Sequence, residues 1–226
     1  MNRYLLVLAL VVAAHPWSGT RALAQTTLIA SYPLNGTAED DTGNYDPMEL
    51  INAPFEDGGI YLNGNYVGGA SDSSHAATPL LTGLDLGAFT IQVDFKIAEY
   101  PPTTRPVIIG GSGWRWGGAS LTVGGNLQIH YNNTGGPAGD QVVSLDVWHT
   151  LVFTYDGVTG NLYMDDTFIT SKDYILVHGE DRNISPTNGG TGRNFKGHIR
   201  NLEVYNGVLD IVPVEPRSWG SLKTLQ

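Results

Sequence analysis

An all-β fold of short antiparallel strands, a sandwich or a barrel, is what this 226-residue sequence predicts, and three observations carry the prediction. Short runs alternate apolar and polar residues with period two. Turns rich in Gly, Asn and Asp separate these runs, and the chain holds 29 glycines, many of them in pairs. No segment sustains a helical period.

The clearest strand is Phe89-Thr-Ile-Gln-Val-Asp-Phe-Lys-Ile97. Phe89, Ile91, Val93, Phe95 and Ile97 point one way and Thr90, Gln92, Asp94 and Lys96 the other, the pattern of a half-buried antiparallel strand. Leu127, Ile129 and Tyr131 share a face of a second strand, which leaves Gln128, His130 and Asn132 on its opposite face. Leu151, Phe153 and Tyr155 share a face of a third, and Asp156-Gly157 through Gly160-Asn161 turns the chain into Leu162-Tyr-Met164. Leu202 and Val204 continue a core face with which Ile199 is out of step, so a bulge is predicted near Arg200-Asn201. Asn63-Gly64 and Gly124-Gly125 carry hairpin-type turn signals. Trp148 is assigned to the core. The many short strands make one domain, with an irregular tail after Asp210.

The first 24 residues read as a secretory signal: a charged start at Met1–Arg3, an apolar run over Tyr4–Ala14, and the exit Ala22-Leu23-Ala24. The apolar run is shorter than the roughly 20 residues of a membrane span, so membrane insertion is not expected. The mature chain is then 25–226. The whole sequence has 12 basic and 22 acidic residues, a net charge of −10. Such a surface repels phosphate backbones, and the sequence holds no basic patch, so nucleic acid is not expected as a partner. There are no cysteines, hence no disulfide framework, thiolate metal site or thiol catalysis. A cysteine-free exported domain of this size suits a bacterial periplasmic or extracellular protein.

Four segments, in order, resemble the laminin-G-like, concanavalin-A-like lectin/glucanase jelly roll, a two-sheet antiparallel β-sandwich. Tyr32-Pro-Leu-Asn-Gly36 with Asp41-Thr-Gly-Asn44 resembles its opening strand and D-[ST]-G-N loop, and Phe89–Phe95 its F-T-[IL]-x-[VA]-x-[FV] strand. Trp148-His149-Thr-Leu-Val-Phe-Thr-Tyr-Asp156-Gly157 resembles the W-H signature, and Gly197-His-Ile-Arg-Asn-Leu-Glu-Val-Tyr-Asn206 the closing strand. The resemblance implies calcium at the loop of Asp40, Asp41 and Asn44, where relatives bind it. The plainer alternative is an Asx-stabilised turn. Two departures stand out: Asp165-Asp166 replaces the usual Asp-Gly turn, and Arg200-Asn201 replaces an acidic pair in the last strand.

Catalytic signatures are missing. No E-x-D-x-x-E strand places two carboxylates for retaining glycoside hydrolysis. Gln128-Ile129-His130 resembles the Q-[IV]-H strand of alginate lyases of this fold, without their R-x-E-x-R and Y-x-K-x-G-x-Y segments. The segment Gly110–Gly118 places Trp114 and Trp116 on one face of an extended run and Arg115 on the other. Flat rings backed by polar groups suit a saccharide; capping of the sandwich core is the other role open to them. With His130, Asn132 and Arg182 these residues form the candidate ligand set. The expectation is a secreted, lectin-like, non-catalytic module for carbohydrate or for a cell-surface or extracellular protein. A polysaccharide-degrading enzyme and a structural, adhesive component are its alternatives.

Overall fold

A computed structural model describes residues 26–64, 74–101, 106–111, 117–132, 134–176, 182–186 and 196–211. Fifteen strands, and no helix, occur among the described residues. Eight strands form the larger sheet, in the order β13 (Thr167–Asp173), β12 (Thr159–Met164), β11 (His149–Tyr155), β6 (Phe89–Ile97), β15 (Lys196–Asn206), β4 (Gly59–Asn63) and β3 (Phe55–Glu56), with β1 (Thr27–Tyr32) beside β15. The second sheet has five, in the order β10 (Thr134–Val142), β9 (Asn126–Tyr131), β8 (Gly118–Leu121), β7 (Val107–Gly111) and β14 (Ile184–Ser185). A small pair, β2 (Glu49–Ile51) with β5 (His75–Ala77), completes the set. The predicted antiparallel sandwich is thus what the chain forms.

Alternation explains the larger sheet. The five apolar residues of β6 are each fully buried. They pair with Leu151, Phe153 and Tyr155 of β11 and with Ile199 and Val204 of β15, so the three central strands present one apolar face. From the second sheet Ile109, Ala119, Leu121, Leu127 and Ile129 close the core. The predicted bulge is present: the β15–β6 register shifts between Arg200 and Glu203, and Asn201 takes a left-handed φ of 50°. An extra residue there returns Leu202 and Val204 to the face that Ile199 already uses.

Turns follow local chemistry. Gly125, with φ 81°, closes the β8–β9 hairpin, as the Gly124-Gly125 signal predicts. Asn63-Gly64 ends β4, which pairs with β3 and β15. Asp57-Gly58, a hairpin signal the sequence reading passed over, joins β3 to β4 with both residues at positive φ. Asp165 and Asp166 both adopt positive φ between β12 and β13, so this chain builds the hairpin without glycine. Asp165 compensates: its carboxylate lies 2.7 Å from His149 Nδ1 and accepts the Thr150 N–H at 2.9 Å.

Two expectations need correction. Trp148 is not in the core. It is half-buried on the outer face of the larger sheet, its ring centroid 4.0 Å from the Arg200 guanidinium and 5.3 Å from Lys96 Nζ. Cation–π contact with strand residues 96 and 200 holds it there. Gln128 and His130 do leave the core face of β9, yet they are 7% and 4% exposed, so that second face is covered as well.

Candidate functional site

The five-stranded sheet turns two sets of side chains in opposite directions. Ile109, Ala119 and Ile129 are paired neighbours and point to the core, as do Leu121 and Leu127. The alternate row holds Gly110, Gly118 and His130, with Gly135 on β10 and Ser185 on β14. A second outward row holds Ser120 and Gln128. Gly118 is required by geometry, since a Cβ there would lie 2.1 Å from the Ile109 carbonyl oxygen. Small residues therefore surround two larger polar side chains, Gln128 and His130.

Strand ends meet at one edge of this face. There β7 stops at Gly111, β8 starts beside His130, β9 stops at Tyr131 and β14 starts opposite Gly111. Asn132 sits at this edge with φ 42° and donates from Nδ2 to the Ile175 carbonyl at 2.8 Å. Tyr131 packs on Tyr174 at 4.9 Å between centroids, and Tyr174 on Tyr155 at 5.1 Å. Burial, then the neighbouring tyrosines, push the Tyr174 phenol well above its ordinary value. Its hydroxyl is buried without a hydrogen-bond partner among the described residues and faces Gly117, whose added Cβ would stand 2.6 Å from it.

Of the predicted ligand set, the structure brings His130 and Asn132 to this edge. Arg182 lies two residues before β14, but its Nη1 donates to the carbonyls of Thr82 and Leu84 at 2.9 and 2.7 Å. It works as a staple for the 82–84 segment. Trp114, Arg115 and Trp116 lie outside the described residues. Ser120 is the residue that sequence reasoning missed; only its two-residue step from Gly118 signalled it.

The predicted metal loop is a separate feature, beside β1 of the larger sheet. Asp40 is 7% exposed and accepts hydrogen bonds at both oxygens: at Oδ1 from the N–H groups of Ser31 (2.8 Å) and Thr42 (3.1 Å), at Oδ2 from the Thr42 hydroxyl (2.6 Å) and the N–H groups of Asn44 (3.0 Å) and Tyr45 (3.1 Å). Burial raises the Asp40 pKa, but these donors outweigh it and hold the carboxyl below the ordinary aspartate value. Asn44 donates its amide to the Ile29 carbonyl at 3.0 Å, and Asp41 is exposed. Donors converge on Asp40 where a cation would need acceptors, so Asp40, Asp41 and Asn44 do not fit a calcium ion. Among the described residues no group of three His, Cys, Asp or Glu side chains could hold a metal.

On the outer face of the larger sheet the substituted pair Arg200-Asn201 serves Asp94. Arg200 Nε and Asn201 Nδ2 reach Asp94 Oδ2 at 3.2 and 2.8 Å, and Thr150 donates to Oδ1 at 2.8 Å. Lys96 pairs with Asp57, and His198 lies 3.4 Å from Glu56. Burial and the Lys96 charge lower the His198 pKa against the pull of Glu56. Register alone would have placed 96, 198 and 200 together.

Comparison with known proteins agrees with this architecture. A family model described as the concanavalin A-like lectin/glucanases superfamily matches residues 68–211, more than half of the chain. Domain 4 of AbnA, an extracellular arabinanase of glycoside hydrolase family 43 from Geobacillus stearothermophilus, solved with arabinotriose, superposes with a TM-score of 0.64 at 20% identity, over 82% of this chain and 95% of that one. Trypanosoma rangeli sialidase gives 0.62 at 19% identity, over 81% of this chain and 31% of the sialidase. The binding domain of Paraclostridial Mosquitocidal Protein 1 gives 0.63 at 16% identity, over 81% and 50%. These likenesses show the fold. No curated protein matches the chain in sequence.

Proposed function

The chain belongs to the concanavalin A-like lectin/glucanases superfamily, and from that premise we propose that it is a secreted, lectin-like module that binds carbohydrate and does not catalyse. One observation carries the proposal. The outward face of the five-stranded sheet holds the buried polar groups Ser120, Gln128 and His130 on a floor kept low by Gly110 and Gly118, beside an edge where several strand ends meet. Saccharides are bound by such convergent polar groups with aromatic side chains nearby, and Trp114, Arg115 and Trp116 remain the proposed aromatic and cationic contributors. The arabinotriose complex of the arabinanase domain, a protein of the same fold, supports this reading. The acidic residues of the other sheet serve structure: Asp94 is held by Arg200, Asn201 and Thr150, and Glu203 by Tyr205 at 2.6 Å and Gln92 at 3.4 Å.

A glycan-array screen of residues 25–226, run with calcium and again with chelator, tests the proposal. Saturable binding in both conditions, abolished by Trp114→Ala or Trp116→Ala, is the expected result. Silence across the array would transfer the role to a protein partner or to adhesion.

A further inference from the structure

Two polar atoms on the outward face of the five-stranded sheet, Ser120 Oγ and Gln128 Oε1, are buried with no hydrogen-bond partner among the described residues. They are neighbours. Ser120 and Gln128 are directly paired across β8 and β9, so their side chains leave the same face of the sheet. Their residues are 0% and 7% exposed. The other end of the Gln128 amide, Nε2, donates to the Gly136 carbonyl. That contact fixes which way the amide points, because the reverse orientation would set Oε1 against another acceptor. The open atom of Gln128 is therefore an acceptor. An orphaned buried group costs about 1–3 kcal/mol, and here two stand side by side.

We propose that Ser120 and Gln128 form a seat for one uncharged hydroxyl, which donates to Gln128 Oε1 and bonds with Ser120 Oγ, and that this seat rejects a carboxylate or sulfate group. The inference rests on the carbohydrate-binding reading above. A carboxylate or sulfate oxygen only accepts, so it would meet Gln128 Oε1 lone pair to lone pair. No Lys or Arg stands among the described outward residues Gly110, Gly118, Ser120, Gln128, His130, Gly135 and Ser185 to repay the burial of an anion. The net charge of −10 adds repulsion at long range. A structural water offers the same donor, and the experiment separates the two sources.

The full chain is titrated with neutral oligosaccharides (arabinan, xylan and β-glucan fragments) and acidic ones (alginate, polygalacturonate and sialylated fragments). Ser120→Ala and Gln128→Met are carried through the same titrations, and all three proteins are melted without saccharide. The seat predicts that a neutral fragment binds best and that each variant loses about ten-fold or more in affinity, while Ser120→Ala melts within a few degrees of the parent. Preference for an acidic fragment, lost in both variants, overturns the rejection of anionic groups. Unchanged affinity with a lowered melting temperature in both variants gives the seat to a structural water and overturns the saccharide assignment. Silence towards every fragment removes the carbohydrate reading and the inference together. Binding that survives both variants keeps that reading and removes the seat alone.

Discussion

Asp40 shows how a single side chain can organise a loop. Its carboxylate takes backbone N–H groups from positions 31, 42, 44 and 45, and so ties β1 to the segment that follows. Asp40→Ala strands those donors in a buried site, and a loss of about 3 kcal/mol is expected by urea denaturation. The sign with pH follows from the lowered pKa. A carboxyl depressed in the folded state stabilises above its unfolded value of 3.8, and that stabilisation is lost as pH falls through the folded value. Asp40→Asn should therefore flatten the acid limb of the stability profile below about pH 4. Calcium should leave the melting temperature of the parent unchanged, and a rise that Asp40→Asn removes would contradict the structural role. Tyr174 is the converse case. Its buried hydroxyl has no partner among the described residues, so Tyr174→Phe is expected to match or slightly exceed the parent in thermal stability. A drop of more than about 1 kcal/mol would mean that the hydroxyl is engaged in solution.

Elements show where sequence reading succeeds and where it stops. Period-two alternation gave β6 its ends, because every second residue from Phe89 to Ile97 is fully buried. The misfit of Ile199 against Leu202 located the β15 bulge, since one inserted residue is the smallest change that reconciles the two faces. Alternation reports that a strand has two faces, but not which of them water reaches. Gln128 and His130 were readable as off-core and not as buried, because alternation does not report what covers a strand's second face. Trp148 precedes its strand, so register could not place it; a guanidinium and an ammonium did. Asp40 was legible as an important position of its loop, but an Asx-type knot and a cation site use the same residue types. Gly118 makes a prediction at this scale. Gly118→Ala would drive a methyl into the Ile109 carbonyl and prise β7 from β8, so a loss of about 3 kcal/mol or more is expected, or failure to fold.

At the scale of the molecule, the proposed site lies on the polar face of one sheet of a strongly acidic chain, while charged side chains pair with each other on the opposite sheet. No helix among the described residues is long and apolar enough to cross a membrane, and the larger sheet's outer face carries the ion pairs. Recognition by neutral groups predicts that saccharide affinity changes less than about two-fold between roughly 0.05 and 0.5 M salt, because Debye screening has no ligand charge to act upon. A steep salt dependence, read by calorimetry, would place charged residues at the site. The measurement that bears most directly on the central claim is an amide chemical-shift titration of residues 25–226 with the strongest neutral fragment. Saturable shifts concentrated at Gly118, Ser120, Gln128, His130, Asn132 and Gly135 are predicted. Shifts confined to Gln92, Tyr163 and Glu203 on the larger sheet, or none at saturating fragment, would contradict the account.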